Sequence, residues 1–175
     1  MPENNAKAHV SELIRTQRAI RHYSQQAVSE EDLRTILNAG RRAQSSKNKQ
    51  PWYFLVVRDR EGLQRLAEGG MFANHLKSAA FAIALVTPHT GAADDFDLGQ
   101  AAAYLQLTAW DLGIGSCVTW MHYAEKAREV LNLPADLSVQ IVLSFGYPAP
   151  QETPRPPKKS GRKPLDEVVR WERWS

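Results

Sequence analysis

Apolar residues recur at every third or fourth position in five stretches of the chain, the spacing of one helix face. These stretches predict helices over about 6–16, 30–40, 60–69, 96–112 and 124–133. Ser29-Glu-Glu-Asp32 resembles a capping box and predicts that the second helix begins near residue 30. The fourth helix is rich in alanine, which allows close packing, so we expect it at the centre of the fold. Asp94, Asp95 and Asp97 are interpreted as caps at its start.

Runs of β-branched, aromatic and aliphatic residues alternate with these helices and predict four strands. They cover residues 52–57, 79–86, 116–120 and 139–145. The first two are interpreted as buried strands, because few polar residues interrupt them. Alternating helices and strands place the chain in the α/β or α+β class.

Six prolines between residues 148 and 164 separate this part from the C-terminal end. We therefore divide the chain into a domain over 1–150 and an arm over 151–175. The arm ends in a short apolar segment that contains Trp171 and Trp174. Both side chains need a surface to bury them, which is either their own protomer or a second subunit.

The composition excludes several classes of protein. A single cysteine, Cys117, rules out an intrachain disulfide and a Cys-rich zinc site, and its apolar neighbours indicate a buried, inert thiol. No apolar run approaches the roughly 20 residues of a membrane span, and we see no signal peptide, so we expect a cytoplasmic protein. Glycine-rich nucleotide loops, GxSxG elbows and zinc-binding histidine pairs are absent, and we predict no metal site.

Charge is distributed unevenly along the chain. Basic residues outnumber acidic ones by nine to five in residues 1–50 and by seven to four in 150–175, whereas residues 51–149 hold six basic and ten acidic residues. If the two basic ends meet in the fold, they form a pocket for phosphate; otherwise they are solvated surface charge. The acidic middle and the lack of a recognition motif argue against nucleic acid as a partner.

Three clusters carry the candidate chemistry. Arg18 and Arg21, at the end of the first helix, offer guanidinium donors to phosphate or carbonyl groups. The loop from Ser45 to Trp52 supplies hydroxyl and amide groups that can bond the polar edge of a heterocycle. The third cluster is on the arm and contains Lys158, Lys159, Arg162 and Lys163.

In this order the motifs resemble those of the nitroreductase family of FMN-dependent oxidoreductases. The resemblance extends over about residues 10–172, nearly the whole chain. The motifs that carry it are Gln17-Arg-Ala-Ile-Arg-His-Tyr23, Gln44-Ser-Ser-Lys-Asn-Lys-Gln-Pro-Trp52, Asn74-His-Leu-Lys77, Leu112-Gly-Ile-Gly-Ser-Cys117, and Gly146-Tyr-Pro148 followed by Arg162-Lys-Pro-Leu-Asp-Glu167.

The resemblance implies an α+β fold with a mixed central sheet flanked by helices. It also implies a homodimer with exchanged C-terminal arms, which would bury the two tryptophans, and with two FMN sites at the interface. The residues that it assigns to FMN are Arg18, Ala19, Arg21, Ser45, Ser46, Asn48, Asn74, Lys77, Thr119, Trp120 and Arg162. By resemblance, Arg18 and Arg162 hold the phosphate, and Arg21 and Lys77 approach the pyrimidine edge of the flavin.

Two departures from the family pattern predict weaker phosphate contacts. Gln17 and Ala19 stand where the family usually has arginine and serine, and the arm has Ser160-Gly161-Arg162 in place of Lys-x-Arg. Arg15 or the arm lysines can substitute for a missing cation.

The activity that the resemblance implies is ping-pong hydride transfer from NADH or NADPH, through flavin N5, to a small acceptor such as a nitroaromatic or a quinone. We expect no indispensable acid or base from the protein, because the flavin carries the chemistry. Two alternatives stay open. One is specialised flavin chemistry on the same scaffold, such as dehalogenation or flavin destruction, and the other is a flavin-binding protein without turnover.

Overall fold

A computed structural model of the chain describes residues 3–88, 91–152 and 162–174. It has the alternating helices and strands that the sequence predicts, which confirms an α+β fold. The elements are α1 Glu3–Thr16, α2 Glu30–Gly40, β1 Tyr53–Val57, α3 Arg60–Ala67, β2 Phe81–Thr87, α4 Ala92–Asp111, β3 Gly115–Trp120, α5 Ala124–Leu131, β4 Ser138–Gly146 and α6 Leu165–Val168, with short 3₁₀ turns at Ser46–Asn48, Asn74–Ser78 and Pro150–Glu152.

The four strands form one sheet in the order β1-β2-β4-β3. Every neighbouring pair is antiparallel. The expectation of a mixed sheet is therefore wrong for the described strands. The reason is that β4 lies between β2 and β3, which run in the same direction, and separates them. Among the described residues, the parallel pairing is an isolated bridge between Ala19, outside the sheet, and Ser116 of β3.

Two apolar layers cover the sheet. On one face, α2 and α4 pack on a cluster that includes Ile83, Leu143 and Phe145. On the other face, α3 and α5 pack on a cluster that includes Ala84 and Val142. Burial of β2 along its whole length confirms the prediction for that strand.

The first strand is less buried than its sequence predicts. β1 lies at the edge of the sheet, where it has one neighbour, and Tyr53 at its start is 61% exposed. Trp52 is buried but precedes the strand. Apolar character alone did not distinguish an edge strand from a central one.

Local signals in the sequence are confirmed at two positions. The Ser29 hydroxyl accepts a hydrogen bond from the backbone N–H of Asp32 at 3.0 Å and so caps α2. Cys117 is 2% exposed, and burial raises the pKa of its thiol, which agrees with an inert cysteine.

The acidic residues at the start of α4 are not simple caps. The helix begins at Ala92, so Asp94 and Asp95 lie in its first turn and Asp97 lies further inside it. Asp94 and Asp97 are almost fully buried. The capping interpretation is wrong for these two residues, because their carboxylates bond residues 46 and 49 of a neighbouring loop.

The described chain ends with α6 and the six residues after it. Trp171 and Trp174 are 78% and 85% exposed, so the described part of this protomer does not bury them. The predicted division at residue 150 stays a prediction, and Lys158, Lys159, Ser160 and Gly161 lie outside the described residues. None of the helices described is long and apolar enough to cross a membrane.

Candidate functional site

The segment that follows α1 packs along β3, at the edge of the sheet opposite β1. Ala19 bridges Ser116 of β3, and the backbone N–H of Ile20 donates to the Ser116 carbonyl at 3.0 Å. Gly115 makes this approach possible, because a Cβ there would lie 2.6 Å from the Ile20 side chain. The contact places residues 18–21, one of the predicted motifs, beside β3.

Both arginines of this motif are exposed and carry charge that no described carboxylate neutralises by an ion pair. The Arg18 guanidinium donates only to backbone carbonyls, those of Arg15 at 2.8 Å and Gln17 at 2.7 Å. Arg21 acts on the neighbouring Asn74–Ser78 turn: burial first, and then the positive charge of Arg21, lowers the pKa of His75 to about 4. Two cations are thus available to an anionic ligand.

The turn Asn74–Ser78, hereafter the Asn74 turn, exposes Asn74 and Lys77 to solvent. One of its two buried residues, His75, ties it to β4, since His75 Nδ1 lies 2.7 Å from Ser144 Oγ. Arg60 supports the turn by donating to the Lys77 carbonyl at 2.8 Å. Within the described chain, the Lys77 ammonium makes no ion pair.

The end of β3 contributes an unsatisfied buried group. Thr119 is buried, and its Oγ1 is the only buried side-chain oxygen or nitrogen of the described residues that lacks a hydrogen-bond partner. Leaving such a group unpaired is costly, typically about 1–3 kcal/mol. The next residue, Trp120, is 53% exposed. The end of β3 is thus a position where a polar group finds no partner among the described residues.

Seven of the predicted residues therefore lie on three segments that meet at β3 and β4, and we call them the β3-end group. They are Arg18, Ala19, Arg21, Asn74, Lys77, Thr119 and Trp120.

Three other predicted residues, Ser45, Ser46 and Asn48, lie on the loop over residues 45–50, which we call the Ser45 loop. Two almost fully buried carboxylates of α4 hold it: the backbone N–H of Ser46 donates to Asp97 at 2.9 Å, and Lys49 Nζ donates to Asp94 at 3.3 Å. The loop is thus fixed to the N-terminal part of α4.

The backbone of the Ser45 loop is strained. Lys47, Asn48 and Gln50 have φ angles of 53°, 56° and 50°, in the left-handed region. In this region the backbone conformation of a residue other than glycine is less favourable by roughly 1–2 kcal/mol, although asparagine tolerates it better than most residues. Strain of this kind concentrates at functional sites, where the surrounding structure maintains it.

Helix α4 separates the two groups. Asp97 holds the Ser45 loop, whereas Trp110, near the other end of the helix, donates to the Thr16 hydroxyl just before Arg18 at 3.0 Å. The rise of an α-helix puts residues 97 and 110 about 20 Å apart. Within one protomer, the Ser45 loop and the segment that precedes Arg18 therefore contact opposite parts of α4.

Arg162, the remaining predicted residue, is exposed on the C-terminal segment. No hydrogen bond or ion pair within the described ranges joins it to the other candidates. Its predicted role at the phosphate stays a prediction.

Sequence analysis missed two sets of supporting residues. One is the carboxylate pair of α4, and the other is a buried contact among Tyr23, His75 and Ser144. A signal for the second existed: Ser144 interrupts the apolar run of residues 141–145, and Tyr23 stands where the family motif typically has phenylalanine.

Known proteins resemble this chain over most of its length. A sequence profile described as the Nitroreductase family matches residues 14–82 and 71–147. A protein of Archaeoglobus fulgidus, provisionally named NADH dehydrogenase/NAD(P)H nitroreductase, is 37% identical over 145 residues, which cover 78% of this chain and 83% of that protein.

Two solved structures share the fold. One, a provisionally named NADH dehydrogenase/NAD(P)H nitroreductase from Parabacteroides distasonis, is 29% identical with a TM-score of 0.85, and the match covers 95% of this chain and 99% of the other. The second, an FMN-dependent nitroreductase from Clostridium difficile, is 30% identical with a TM-score of 0.81, covering 93% and 98%.

Proposed function

This chain belongs to the nitroreductase family, and we propose that it is an FMN-dependent oxidoreductase that transfers electrons from NADH or NADPH to a small organic acceptor. The observation that carries the proposal is the β3-end group, where Arg18, Arg21 and Lys77 have no described ion-pair partner and the buried Thr119 hydroxyl is unpaired. The names of the Archaeoglobus and Clostridium proteins support the choice of nicotinamide donor and of FMN.

In this proposal different cations bind the two ends of the cofactor. Arg18, supported by Arg162, binds the phosphate. Arg21 and Lys77 lie beside the pyrimidine edge, where positive charge stabilises negative charge on the ring. Asn74 and Thr119 supply hydrogen bonds. Bound FMN supplies the hydride chemistry.

No protein acid, base or nucleophile is required. Cys117, the single thiol of the chain, is buried and its pKa is raised by burial, so it is not a nucleophile at neutral pH. The contribution of the protein is therefore binding, orientation and electrostatics.

We further infer that the protein is a homodimer joined through α4. This helix is apolar on the side that packs on the sheet and also on the opposite side, where Phe96, Gly99, Ala103 and Tyr104 are exposed. An exposed apolar stripe of this kind, rimmed by polar residues, marks a surface that a partner covers. Val10 and Ile14 of α1 extend the exposed apolar face.

A two-fold axis across α4 would complete the site. Two copies of α4 related by such an axis run antiparallel, so the N-terminal part of one lies beside the C-terminal part of the other. The Ser45 loop of the second copy would then face the β3-end group of the first. In this arrangement Ser45, Ser46 and Asn48 reach the flavin site from the second copy.

The first test is the visible absorption spectrum of the purified protein with added FMN, followed by NADH or NADPH without oxygen. We expect flavin bands that bleach when the nicotinamide is added. Flavin that binds but does not bleach with either donor favours a flavin-binding protein without turnover. Protein that binds no FMN overturns the proposal and leaves the fold alone as the family property.

Subunit complementation tests the shared site. Arg21→Ala and Asn48→Ala change opposite halves of it, and each variant alone is expected to bind FMN poorly. Unfolding and refolding the two together should restore roughly a quarter of the sites, because mixed dimers contain one intact site each. Arg34→Ala, at an exposed arginine of α2, is the matched control and should not change binding. No recovery on mixing would place both halves in one chain.

A further inference from the structure

Three buried polar side chains meet beneath the β3-end group, and we call them the Ser144 network. Ser144, on β4, is fully buried, and its Oγ lies 2.6 Å from Tyr23 Oη and 2.7 Å from His75 Nδ1. Tyr23 and His75 are 5% and 6% exposed. Tyr23 also donates to the Ile20 carbonyl at 2.6 Å, and Ser144 Oγ lies 3.3 Å from the Cys117 carbonyl oxygen.

The shortest distances determine the direction of the hydrogen bonds. The Ile20 carbonyl can only accept, so its 2.6 Å contact uses the single hydroxyl hydrogen of Tyr23. The hydrogen between Tyr23 and Ser144 must then come from Ser144, since tyrosine has no other to donate. The longer contact of Ser144 with the Cys117 carbonyl is a minor branch of the same shared bond.

This order leaves the hydrogen between Ser144 and His75 to the imidazole. Neutral His75 therefore carries its hydrogen on Nδ1, and the chain of donors runs from His75 through Ser144 and Tyr23 to Ile20. Burial, followed by the charge of Arg21, lowers the pKa of His75 to about 4, which keeps the ring neutral at neutral pH.

Each end of the network belongs to a different part of the proposed flavin site. Tyr23 ends the segment 18–23 that carries two of the cations. His75 is the buried polar residue of the Asn74 turn. Cys117 lies on β3, two residues before the unpaired Thr119. One serine hydroxyl thus connects all three segments of the β3-end group.

We propose that Ser144 is a positioning residue, whose hydroxyl sets the relative placement of the 18–21 motif, the Asn74 turn and the end of β3. This inference rests on the proposed function, because the placement matters for binding FMN. The residue itself does not contact the ligand in this proposal, since it is fully buried beneath the site.

Ser144→Ala removes the shared hydroxyl and leaves the His75 N–H without an acceptor. Losing a buried hydrogen-bond partner of this kind should raise the dissociation constant of FMN about tenfold. Tyr23→Phe cuts only the link to the first segment, so we expect a smaller rise, roughly threefold. Both are measured by quenching of flavin fluorescence as apoprotein is added.

Ser138→Ala is the matched control. Ser138 begins the same strand, and its hydroxyl donates to the Thr87 carbonyl at 3.2 Å, away from the site. The control also loses one hydrogen bond, so its unfolding midpoint should fall, but its affinity for FMN should stay unchanged.

A second measurement reads the network without any ligand. In ¹⁵N-histidine-labelled protein, His75 should show a hydrogen on Nδ1, and its signals are identified by their loss in His75→Gln. In Ser144→Ala this preference should disappear.

The outcomes separate the two proposals. Wild-type protein that binds no FMN overturns the proposed function before any variant is compared. If wild type binds FMN and Ser144→Ala binds it equally well, Ser144 serves stability alone and the positioning role is wrong. A His75 hydrogen found on Nε2 in wild type overturns the order of the donor chain.

Discussion

The β3-end group rests on neutral hydrogen bonds buried against the sheet, whereas the Ser45 loop is tied to α4 by two carboxylates. In the first region, Tyr23, His75 and Ser144 satisfy one another. In the second, Asp94 and Asp97 bond a loop whose backbone enters the left-handed region at three residues. The first region is anchored in the core by buried side chains, and the second is a strained surface loop anchored by two buried carboxylates.

The difference shows two ways of placing polar groups at a site. Segments that pack on a sheet are held by its rigid backbone, so hydrogen bonds from a few buried hydroxyl and imidazole groups are enough to align them. A loop that packs on a helix has no neighbouring strand with which to form regular backbone hydrogen bonds. Charged acceptors, which form stronger hydrogen bonds, hold it in place instead. Four substitutions or conditions test this comparison.

The largest expected effect is on the packing of the β3-end group. In Gly115→Ala, the new methyl group would lie 2.6 Å from Ile20 and push the 18–21 motif from β3. Overpacking of this kind costs about 1–3 kcal/mol, and we expect the upper end. Urea denaturation measures the loss. Gly91→Ala, with nothing within 4 Å, is the control and should cost less than about 1 kcal/mol. Equal losses would contradict the close approach.

The anchor of the Ser45 loop comes next. Asp97→Ala leaves the Ser46 N–H without its acceptor and should lower the free energy of unfolding by roughly 1–3 kcal/mol. Trypsin should also cleave faster after Lys47 and Lys49, because the loop is released. Asp97→Asn keeps an acceptor oxygen and should have a smaller effect. Unchanged cleavage in the alanine variant would show that the carboxylate does not hold the loop.

The third test uses pH to probe the neutral network. The pKa of His75 is lowered to about 4 in the fold, by burial and then by Arg21, with Tyr23, Ser144 and Cys117 as the other groups around it. As the pH is lowered, the unfolded chain therefore binds this proton at a higher pH than the folded chain does. The contribution of His75 to the free energy of unfolding is fully present above the ordinary histidine pKa of about 6.5 and is lost as the pH falls toward 4.

His75→Gln should flatten that part of the stability curve, measured by thermal unfolding from pH 7 to 4. Ser138→Ala, which removes a hydrogen bond but no titratable group, is the control and should retain the wild-type slope. Identical slopes in all three proteins would remove His75 from the pH dependence.

The smallest effect concerns the strain of the Ser45 loop. Lys47→Gly permits the φ angle of 53° without a steric cost and should raise the free energy of unfolding by up to about 1 kcal/mol. Lys126→Gly, in the ordinary helix α5, should lower it by about 1 kcal/mol. A loss at both positions would mean that the left-handed conformation is not strained in this loop.

Much of the fold could be predicted because its signals are local. The helical spacing of α2 and the cap at Ser29, or the apolar run of β2, depend on residues within one or two turns of each other. Burial of β1 could not be predicted in the same way. Its composition suits a central strand, and only the order of strands in the sheet leaves it at an edge.

The candidate site divides along the same line. Each motif could be identified from the sequence separately, since each is a short run such as residues 18–21 or 74–77. Which motifs meet could not be predicted, because it depends on how they pack on α4, whose helical rise puts Asp97, at the Ser45 loop, about 20 Å from Trp110, at Thr16.

By itself the sequence determined where helices and strands form, that Cys117 is buried and which residues resemble a flavin site, because periodicity and motif spacing are properties of neighbouring residues. Tertiary structure alone decided that Ser144 joins Tyr23 to His75 and that Asp97 holds Ser46. These pairs lie 51 to 121 positions apart, and their contact depends on strand order and helix packing.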